Sequence, residues 1–282
     1  MKKIGFIDYY ISEWHANNYP VWMKEVCDKY GYDFEVSYAW AELETSLVDG
    51  KTTDQWCESF NVQKCDTIKE LCEKSDFIVI LAPSDPDKHL GYALEAFKYA
   101  KGKKMYIDKT FAPDYDTAKA IFDGAKQNDV QFFSTSALRY ADELNSLNNV
   151  KQLNVYGGGS NFPEYSIHQV EMLVKVMGLG ANAVKASENQ DGILTIDVAY
   201  PDGKKATLNY NKTFGFKLEV VEDNNVNEIK IQSDFFRNLL KDIVEFFQGK
   251  PVPFDTNQTL EVMKVREYAL KAMSNQNVWI KF

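Results

Sequence analysis

The first half of the chain alternates short apolar runs with segments of helical periodicity. Ile4–Asp8 is a short apolar run. The apolar positions of residues 19–30 then recur at three- and four-residue spacing, which predicts one buried helix face. Gly31 follows as a C-terminal stop signal. Phe77–Ala82 is a continuous run rich in β-branched residues, typical of a strand buried on both faces of a parallel sheet. The repeated strand–helix order of residues 1–135 implies right-handed crossovers and predicts a Rossmann-like, doubly wound parallel sheet.

The remaining elements of this half follow from the same two patterns. Asp66 is the predicted N-terminal cap of a helix whose apolar face begins at Ile68. The helix that begins near His89 is predicted to end at Gly102. The other predicted strands are 34–40, 62–65, 105–107 and 130–134, and the other predicted helices are 54–60 and 116–127.

After about Arg139 the pattern changes to short alternating strands with tight turns. A "PDGK" sequence at residues 201–204 consists of strong turn formers. Residues 136–282 are therefore predicted to form a second, α+β domain with a mostly antiparallel open sheet. Its predicted strands are 153–157, 183–189, 193–200, 206–212, 215–221, 227–231 and 278–282, and its predicted helices are 165–177, 234–247 and 257–273.

Composition and charge exclude several classes of protein. The 282 residues, 45% hydrophobic and 26% charged, are enough for two domains with proper cores. A net charge of −9 argues against a nucleic-acid binder and against attraction to anionic membranes. No export signal or long apolar run is evident, so we expect a cytoplasmic protein.

Cysteine and histidine usage predicts no metal site. The four cysteines form no C-x-x-C pair, and only three histidines are present to complete a site. The cysteines are therefore predicted to be reduced core thiols rather than disulfide or zinc ligands.

The turn between the first strand and the first helix departs from the rule for dinucleotide binding. The three positions where such a turn carries glycine are Asp8, Tyr10 and Glu13, and no glycine lies between Phe6 and Tyr30. Asp8 and Glu13 also bring negative charge towards a helix N-terminus, which favours anions. A wider turn would leave room for pyrophosphate, whereas a tyrosine filling the space would exclude it.

Four segments, in order, resemble the Gfo/Idh/MocA family of glucose–fructose oxidoreductases and inositol dehydrogenases. Residues 76–110 are similar to its block of buried strand, Thr-Pro-Asn-like turn, histidine-led helix and Glu-Lys-Pro motif. Residues 134–144 resemble its Arg-Phe-x-Pro segment. Residues 157–178 resemble its glycine run and Asp-x-x-x-His-x-x-Asp helix, and residues 234–282 resemble its closing helices and strand.

The resemblance implies an NAD(P)-dependent oxidoreductase that acts on a sugar, polyol or related hydroxy compound. In the family, the lysine of Glu-Lys-Pro and the Asp/His pair flank the nicotinamide and the reacting carbon. By position these residues are Lys109, Glu164 and His168, with Glu171 one turn further along. Histidine suits proton removal from a hydroxyl, because its ordinary pKa of about 6.5 lies near working pH. Glu164 lies four residues before His168, on the same helix face, where it could fix the ring's tautomer or bind a substrate hydroxyl.

Each of these residues also has an ordinary structural alternative. Lys109 is equally a solvated lysine at a strand end, Glu171 a solvated helix residue, and Glu164–His168 a modest surface pair. His15 is predicted on a helix surface, and His89 either starts its helix or lines the cofactor cleft. The cofactor-binding residues implied by the resemblance are Asp8, Tyr10, Ile11, Ser12, Ala82, Pro83, Ser84, His89, Asp108, Lys109 and Arg139.

The end of the second strand bears on the choice of cofactor. The expected acidic ribose ligand is replaced near Trp40, which leaves Glu42 or Glu44 as late substitutes. No arginine or lysine lies within Phe34–Val48 to pair with a 2′-phosphate, so NAD is expected rather than NADP. The lost glycines keep a second interpretation open, a family member without cofactor that serves as a ligand-binding or regulatory protein.

The family often assembles through the open face of its second-domain sheet. The strands between 183 and 231 carry alternating apolar residues compatible with a buried face. A homo-oligomer, either a dimer or a tetramer, is therefore expected.

Overall fold

The computed structural model describes residues 1–83, 85–222 and 225–282, which form two compact units. The first unit consists of Met1–Thr135 together with Arg237–Phe254. The second consists of Ser136–Phe236 together with Asp255–Phe282.

The first unit contains a six-stranded parallel sheet, which confirms the Rossmann-like prediction. The strand order is β3-β2-β1-β4-β5-β6, so consecutive strands run outwards on both sides of β1 and β4. Crossover helices connect the strands, because parallel neighbours cannot be joined by a tight hairpin. The strands are β1 (Lys2–Asp8), β2 (Phe34–Ala41), β3 (Gln63–Lys64), β4 (Phe77–Ile80), β5 (Lys104–Ile107) and β6 (Gln131–Ser134), and the helices are α1 (Trp14–Tyr30), α2 (Thr53–Phe60), α3 (Ile68–Lys74), α4 (Asp87–Phe97) and α5 (Tyr115–Gln127).

The ends of two helices test the capping and stop signals predicted from the sequence. Gly31 ends α1 in the left-handed region, at φ 73°, as the stop signal predicts. The predicted cap of α3 was wrong by one residue. Thr67 Oγ1, rather than Asp66, accepts the Glu70 N–H, and Asp66 instead donates its own N–H to the Glu70 carboxylate.

The second unit contains a seven-stranded mixed sheet in the order β12-β11-β7-β10-β9-β8-β13. All neighbouring pairs are antiparallel except β7 and β10, so the mostly antiparallel prediction is confirmed. The strands are β7 (Gln152–Gly157), β8 (Ala183–Glu188), β9 (Leu194–Ala199), β10 (Lys205–Tyr210), β11 (Lys217–Glu222), β12 (Asn225–Lys230) and β13 (Ile280–Lys281), and the chain's last three helices are α6 (Phe162–Met177), α7 (Phe235–Phe247) and α8 (Asn257–Met273).

Most of α7 packs with the first unit, although it follows the second unit's strands in sequence. The Phe247 ring stacks on Phe77, with centroids 4.6 Å apart, and also contacts Phe34. Lys104 Nζ donates to the Phe246 carbonyl oxygen at 2.7 Å. Aromatic contact with β2 and β4 therefore accounts for residues 237–254 belonging to this unit.

The two faces of the second sheet differ in chemistry. Alternate residues such as Leu153, Val155 and Leu208 are buried on the side that α6 and α8 cover. On the other side, Thr207 Oγ1 donates to Asn154 Oδ1 at 2.9 Å, and Asn209 Nδ2 donates to Thr207. The alternating apolar residues on which the oligomer was predicted are thus buried by α6 and α8 of the same chain. The opposite face of the sheet is polar.

The four cysteines are free thiols in buried positions. Burial raises the pKa of Cys57 and of Cys72 to about 12 and that of Cys65 to about 11. Among the described residues, no three histidine, cysteine or carboxylate side chains are grouped to hold a metal ion. No helix in the described part of the chain combines the length and apolar character needed to cross a membrane.

Candidate functional site

The turn that joins β1 to α1, residues 8–13, is filled by its own side chains. Asp8 is only 1% exposed, and Tyr10, Ile11 and Ser12 are also buried. Asp8 Oδ1 accepts the N–H groups of Tyr9 at 2.7 Å and of Ala82 at 3.0 Å. Burial and the negative charge of Glu13 raise the pKa of Asp8 well above its ordinary value. Three predicted cofactor residues, Asp8, Tyr10 and Ile11, therefore serve first as packing for this turn.

Glu13 caps the amino-terminal end of α1 with its own carboxylate. Its side chain is 5% exposed and accepts the His15 N–H at 2.9 Å and the Ala16 N–H. The next N–H group, from Asn17, donates to the Glu13 carbonyl oxygen at 2.9 Å. The Asn17 bond is the first ordinary i→i−4 bond of the helix, whereas the N–H groups of His15 and Ala16 are ones that the helix backbone leaves unpaired. The Glu13 carboxylate takes both of these groups, which a phosphate would contact at a helix N-terminus.

His15 joins this cap to the end of β5. Its Nδ1 lies 3.1 Å from Glu13 Oε2, and its Nε2 lies 3.7 Å from Asp108 Oδ2. The hydroxyls of Tyr19 and Tyr106 donate to Asp108 Oδ1 at 3.4 and 3.1 Å. The prediction that His15 lies on a helix surface was wrong, because the residue is only 7% exposed and is held between two carboxylates.

A segment after β2 covers the same turn. Ser46 Oγ donates to the Ser12 carbonyl oxygen at 2.7 Å, and Ser12 Oγ donates to Asp49 Oδ2 at 2.8 Å. The hydroxyl and the carbonyl oxygen of Ser12, a predicted cofactor residue, are thus both hydrogen-bonded within its own unit.

The two late substitutes for the ribose acid are already engaged. Glu42 accepts Lys88 Nζ and the Tyr92 hydroxyl, each at 2.6 Å, and these two hydrogen bonds lower the pKa of Glu42. Glu44 accepts Lys64 Nζ at 2.7 Å. Both carboxylates therefore already have cationic or hydroxyl partners within their own unit.

The turn after β4 is organised by a buried histidine. His89 is fully buried, with Nδ1 3.0 Å from the Phe111 carbonyl oxygen and Nε2 in contact with the Leu81 carbonyl oxygen. Burial lowers the pKa of His89. Ala82 has a φ of 51° and Pro83 is half-buried. The remaining predicted residue of this turn, Ser84, lies outside the described residues.

Lys109 follows the buried Asp108 at the carboxyl end of β5. It is half-buried, and in the part of the chain that the structure describes its ammonium group has no hydrogen-bond or carboxylate partner. The peptide bond between Lys109 and Thr110 is cis. The carboxyl edge of an open parallel sheet is where ligands bind, so this ammonium is free to meet one.

In the second unit, His168 is held by a serine that the sequence did not single out. His168 Nδ1 lies 2.6 Å from Ser136 Oγ. The imidazole is half-buried, with the rings of Tyr165 and Phe216 edge-on at 5.8 and 5.6 Å. When Nδ1–H donates to Ser136, Nε2 carries the lone pair that can accept a proton.

A buried ion pair supports this serine. Arg139 Nε donates to Glu171 Oε2 at 2.6 Å, and the Ser136 N–H donates to Glu171 Oε1 at 3.2 Å. Arg139 Nη1 also donates to Gln258 Oε1 at 2.6 Å. Glu171 is 2% exposed, so the alternative of a solvated helix residue was wrong. Arg139, a predicted cofactor residue, makes these contacts inside its own unit.

Glu164 lies at the exposed start of α6. Its carboxylate accepts Ser160 Oγ at 2.9 Å and Asn161 Nδ2 at 3.1 Å, while its N–H donates to the capping Asn161 side chain. The preceding glycine run has a packing role, because a Cβ at Gly158 would stand 2.5 Å from the Asn211 carbonyl oxygen. Glu164 is therefore integrated into the helix cap.

With Glu13 in place, the turn of residues 8–13 does not fit a pyrophosphate group. The N–H groups that would bind it are occupied, and the side chains of Asp8 and Glu13 would place negative charge beside it. The sequence analysis did not predict that the Glu13 carboxylate occupies the N–H groups of α1 or that His15 lies near Asp108. Neither contact has a signal in the local sequence.

Solved structures resemble the whole chain, although no family model matches it and the curated proteins give no match. A myo-inositol dehydrogenase from Lactobacillus casei, solved with NAD(H) and myo-inositol, has a TM-score of 0.77 at 12% identity and covers 100% of this chain and 96% of its own. An NAD-binding oxidoreductase from Klebsiella pneumoniae has a TM-score of 0.75 at 11% identity, covering 99% and 98%. A probable dehydrogenase from Thermotoga maritima has a TM-score of 0.74 at 12% identity, also covering 99% and 98%. At such identity these likenesses show the fold.

Proposed function

We propose that this chain is an oxidoreductase of the Gfo/Idh/MocA type that acts on a CH–OH group of a sugar, polyol or related hydroxy compound. The observation that carries the proposal is the half-buried His168 imidazole, fixed through Nδ1 by Ser136 Oγ at 2.6 Å. Oxidation of a secondary alcohol requires removal of the hydroxyl proton, and a positioned imidazole is suited to that task. The expectations of a cytoplasmic location and of a dimer or tetramer rest on the sequence and the family resemblance alone.

His168 is the base in this proposal. Its Nε2 accepts the hydroxyl proton, and Ser136 holds the ring in the required tautomer by accepting Nδ1–H. Lys109 is proposed as a catalytic residue from the position of the family's lysine alone. Glu164, at the exposed start of α6, is proposed as a ligand for a substrate hydroxyl.

A nicotinamide dinucleotide, when bound, supplies the hydride acceptor that such a reaction needs. NAD is proposed over NADP, because residues 34–48 contain no lysine or arginine for a 2′-phosphate, and the lysines that reach this segment, Lys64 and Lys88, are paired with Glu44 and Glu42. The turn of residues 8–13 does not fit pyrophosphate in its present conformation, so the structural support for the reaction comes from His168 and Ser136.

The proposal is tested by screening turnover against a panel of inositols, sugars and sugar alcohols. We expect reduced nicotinamide to accumulate with at least one polyol, faster with NAD than with NADP, and in proportion to protein concentration. Absence of turnover over the whole panel in both directions, with either dinucleotide, would contradict the proposal.

The Glu13 cap favours a second candidate, a ligand-binding or regulatory protein without redox chemistry. A carboxylate in place of the pyrophosphate is the state expected of a chain that has no dinucleotide to bind. Calorimetry and the turnover assay together distinguish the two candidates. The second candidate requires saturable binding of a polyol, no binding of NAD(H) and no turnover.

A further inference from the structure

The N-terminal end of α1 carries its own anion. The N–H groups of His15 and Ala16, which the helix backbone leaves unpaired, donate to the Glu13 carboxylate. These groups, together with the helix dipole, attract a negative charge, and here a side chain of the same chain supplies it. We infer that Glu13 is an intramolecular competitor of phosphate-containing ligands at this turn, and that its removal strengthens their binding.

The Glu13 side chain is firmly held rather than loosely placed. Its carboxylate also lies 3.1 Å from His15 Nδ1, and His15 in turn faces Asp108. The residue is 5% exposed. A ligand phosphate would therefore have to break three contacts of one carboxylate before it gained any of its own.

Asp8 adds a second buried carboxyl group to this turn. Its Oδ2 is buried and, within the described residues, has no hydrogen-bond partner. Burial, followed by the charge of Glu13, raises the pKa of Asp8 well above its ordinary value. Removal of the Glu13 carboxylate takes a charge from the turn and vacates the N–H groups of His15 and Ala16.

The test compares binding of inorganic pyrophosphate and of NADH, each measured by calorimetry on the full chain and its variants. Glu13→Ser removes the carboxylate and retains a hydroxyl that can cap α1, so the helix start is preserved. Asp114→Ser is the matched control. Asp114 caps α5 of the same unit by accepting the Thr117 N–H at 2.7 Å, so a carboxylate cap is likewise replaced by a serine hydroxyl, but at a different helix. Circular dichroism and thermal unfolding establish that each variant is folded.

We expect Glu13→Ser to bind both ligands at least about tenfold more tightly than the unmodified chain, on the scale of one charge at a helix N-terminus. Asp114→Ser is expected to leave both affinities unchanged. Equal affinities for the unmodified chain and Glu13→Ser would overturn the inference, including the case in which neither binds. An equal gain in Asp114→Ser would also overturn it.

The outcomes separate this inference from the oxidoreductase proposal, on which it does not rest. NADH binding by the unmodified chain with no gain in Glu13→Ser would overturn the inference and leave the proposal intact. NADH binding by Glu13→Ser alone would support the inference and count against redox chemistry.

Discussion

Replacing His168 by alanine is expected to lower kcat on any polyol substrate by about 10²–10⁴-fold, the usual contribution of a positioned proton-transfer group. The imidazole is half-buried and held at 2.6 Å by Ser136, which is the geometry of an oriented base rather than of a loose surface residue. Its loss removes no buried ion pair, so the free energy of unfolding should change little. Turnover is measured by the appearance of reduced nicotinamide, with urea unfolding as the check on stability.

Two variants make this prediction specific. Tyr165→Phe is the matched control, because Tyr165 contacts the same imidazole with its ring and this change removes only the hydroxyl. It should retain most of the turnover. Ser136→Ala leaves the His168 ring in place but removes the partner of its Nδ1. Its turnover should lie between those of His168→Ala and Tyr165→Phe. Equal turnover in His168→Ala and the unmodified chain would remove His168 from the reaction.

Glu171→Ala is expected to destabilise the fold by about 3–5 kcal/mol, since it leaves the Arg139 guanidinium buried beside an empty position. Arg139 and Glu171 are 4% and 2% exposed and meet at 2.6 Å. The same change also removes the acceptor of the Ser136 N–H, so the serine that holds His168 loses a support. The midpoint of urea unfolding measures the first effect, and kcat measures the second.

The control for this prediction is an ion pair of equal length on the surface. Lys24 and Asp28 also meet at 2.6 Å, but their side chains are 74% and 67% exposed. Asp28→Ala should cost at most about 0.5 kcal/mol, because solvent screens the pair. Replacing both Arg139 and Glu171 by methionine should cost much less than Glu171→Ala, as no charge is left unpaired. A loss in Glu171→Ala no larger than in Asp28→Ala would contradict the prediction.

The elements of the fold were predictable because they follow from local patterns. The continuous apolar run at β4 predicted a doubly covered parallel strand, and Ile78, Val79 and Ile80 are fully buried. The bounds of α8 were predicted as the structure has them, since its helical pattern is long and regular.

The candidate site was predictable only where a motif named single residues. His168 was named by a motif, whereas its partner Ser136 lies 32 residues away and meets it only through the tertiary fold. The contact between His15 and Asp108 was likewise not predictable from local sequence, because it joins α1 to the end of β5 in the folded unit. The charge of Glu13 was evident in the sequence, but its capping contacts depend on the side-chain conformation.

The central claim, that this chain moves a hydride from a CH–OH carbon, is tested most directly with a polyol that carries deuterium on its hydroxyl-bearing carbons. The protein is incubated with this polyol and NAD, and the recovered nicotinamide is analysed by mass spectrometry. We predict one deuterium in each reduced dinucleotide formed, and almost none with His168→Ala. Saturable binding of the polyol without deuterium in the dinucleotide would contradict the claim and leave a binding protein.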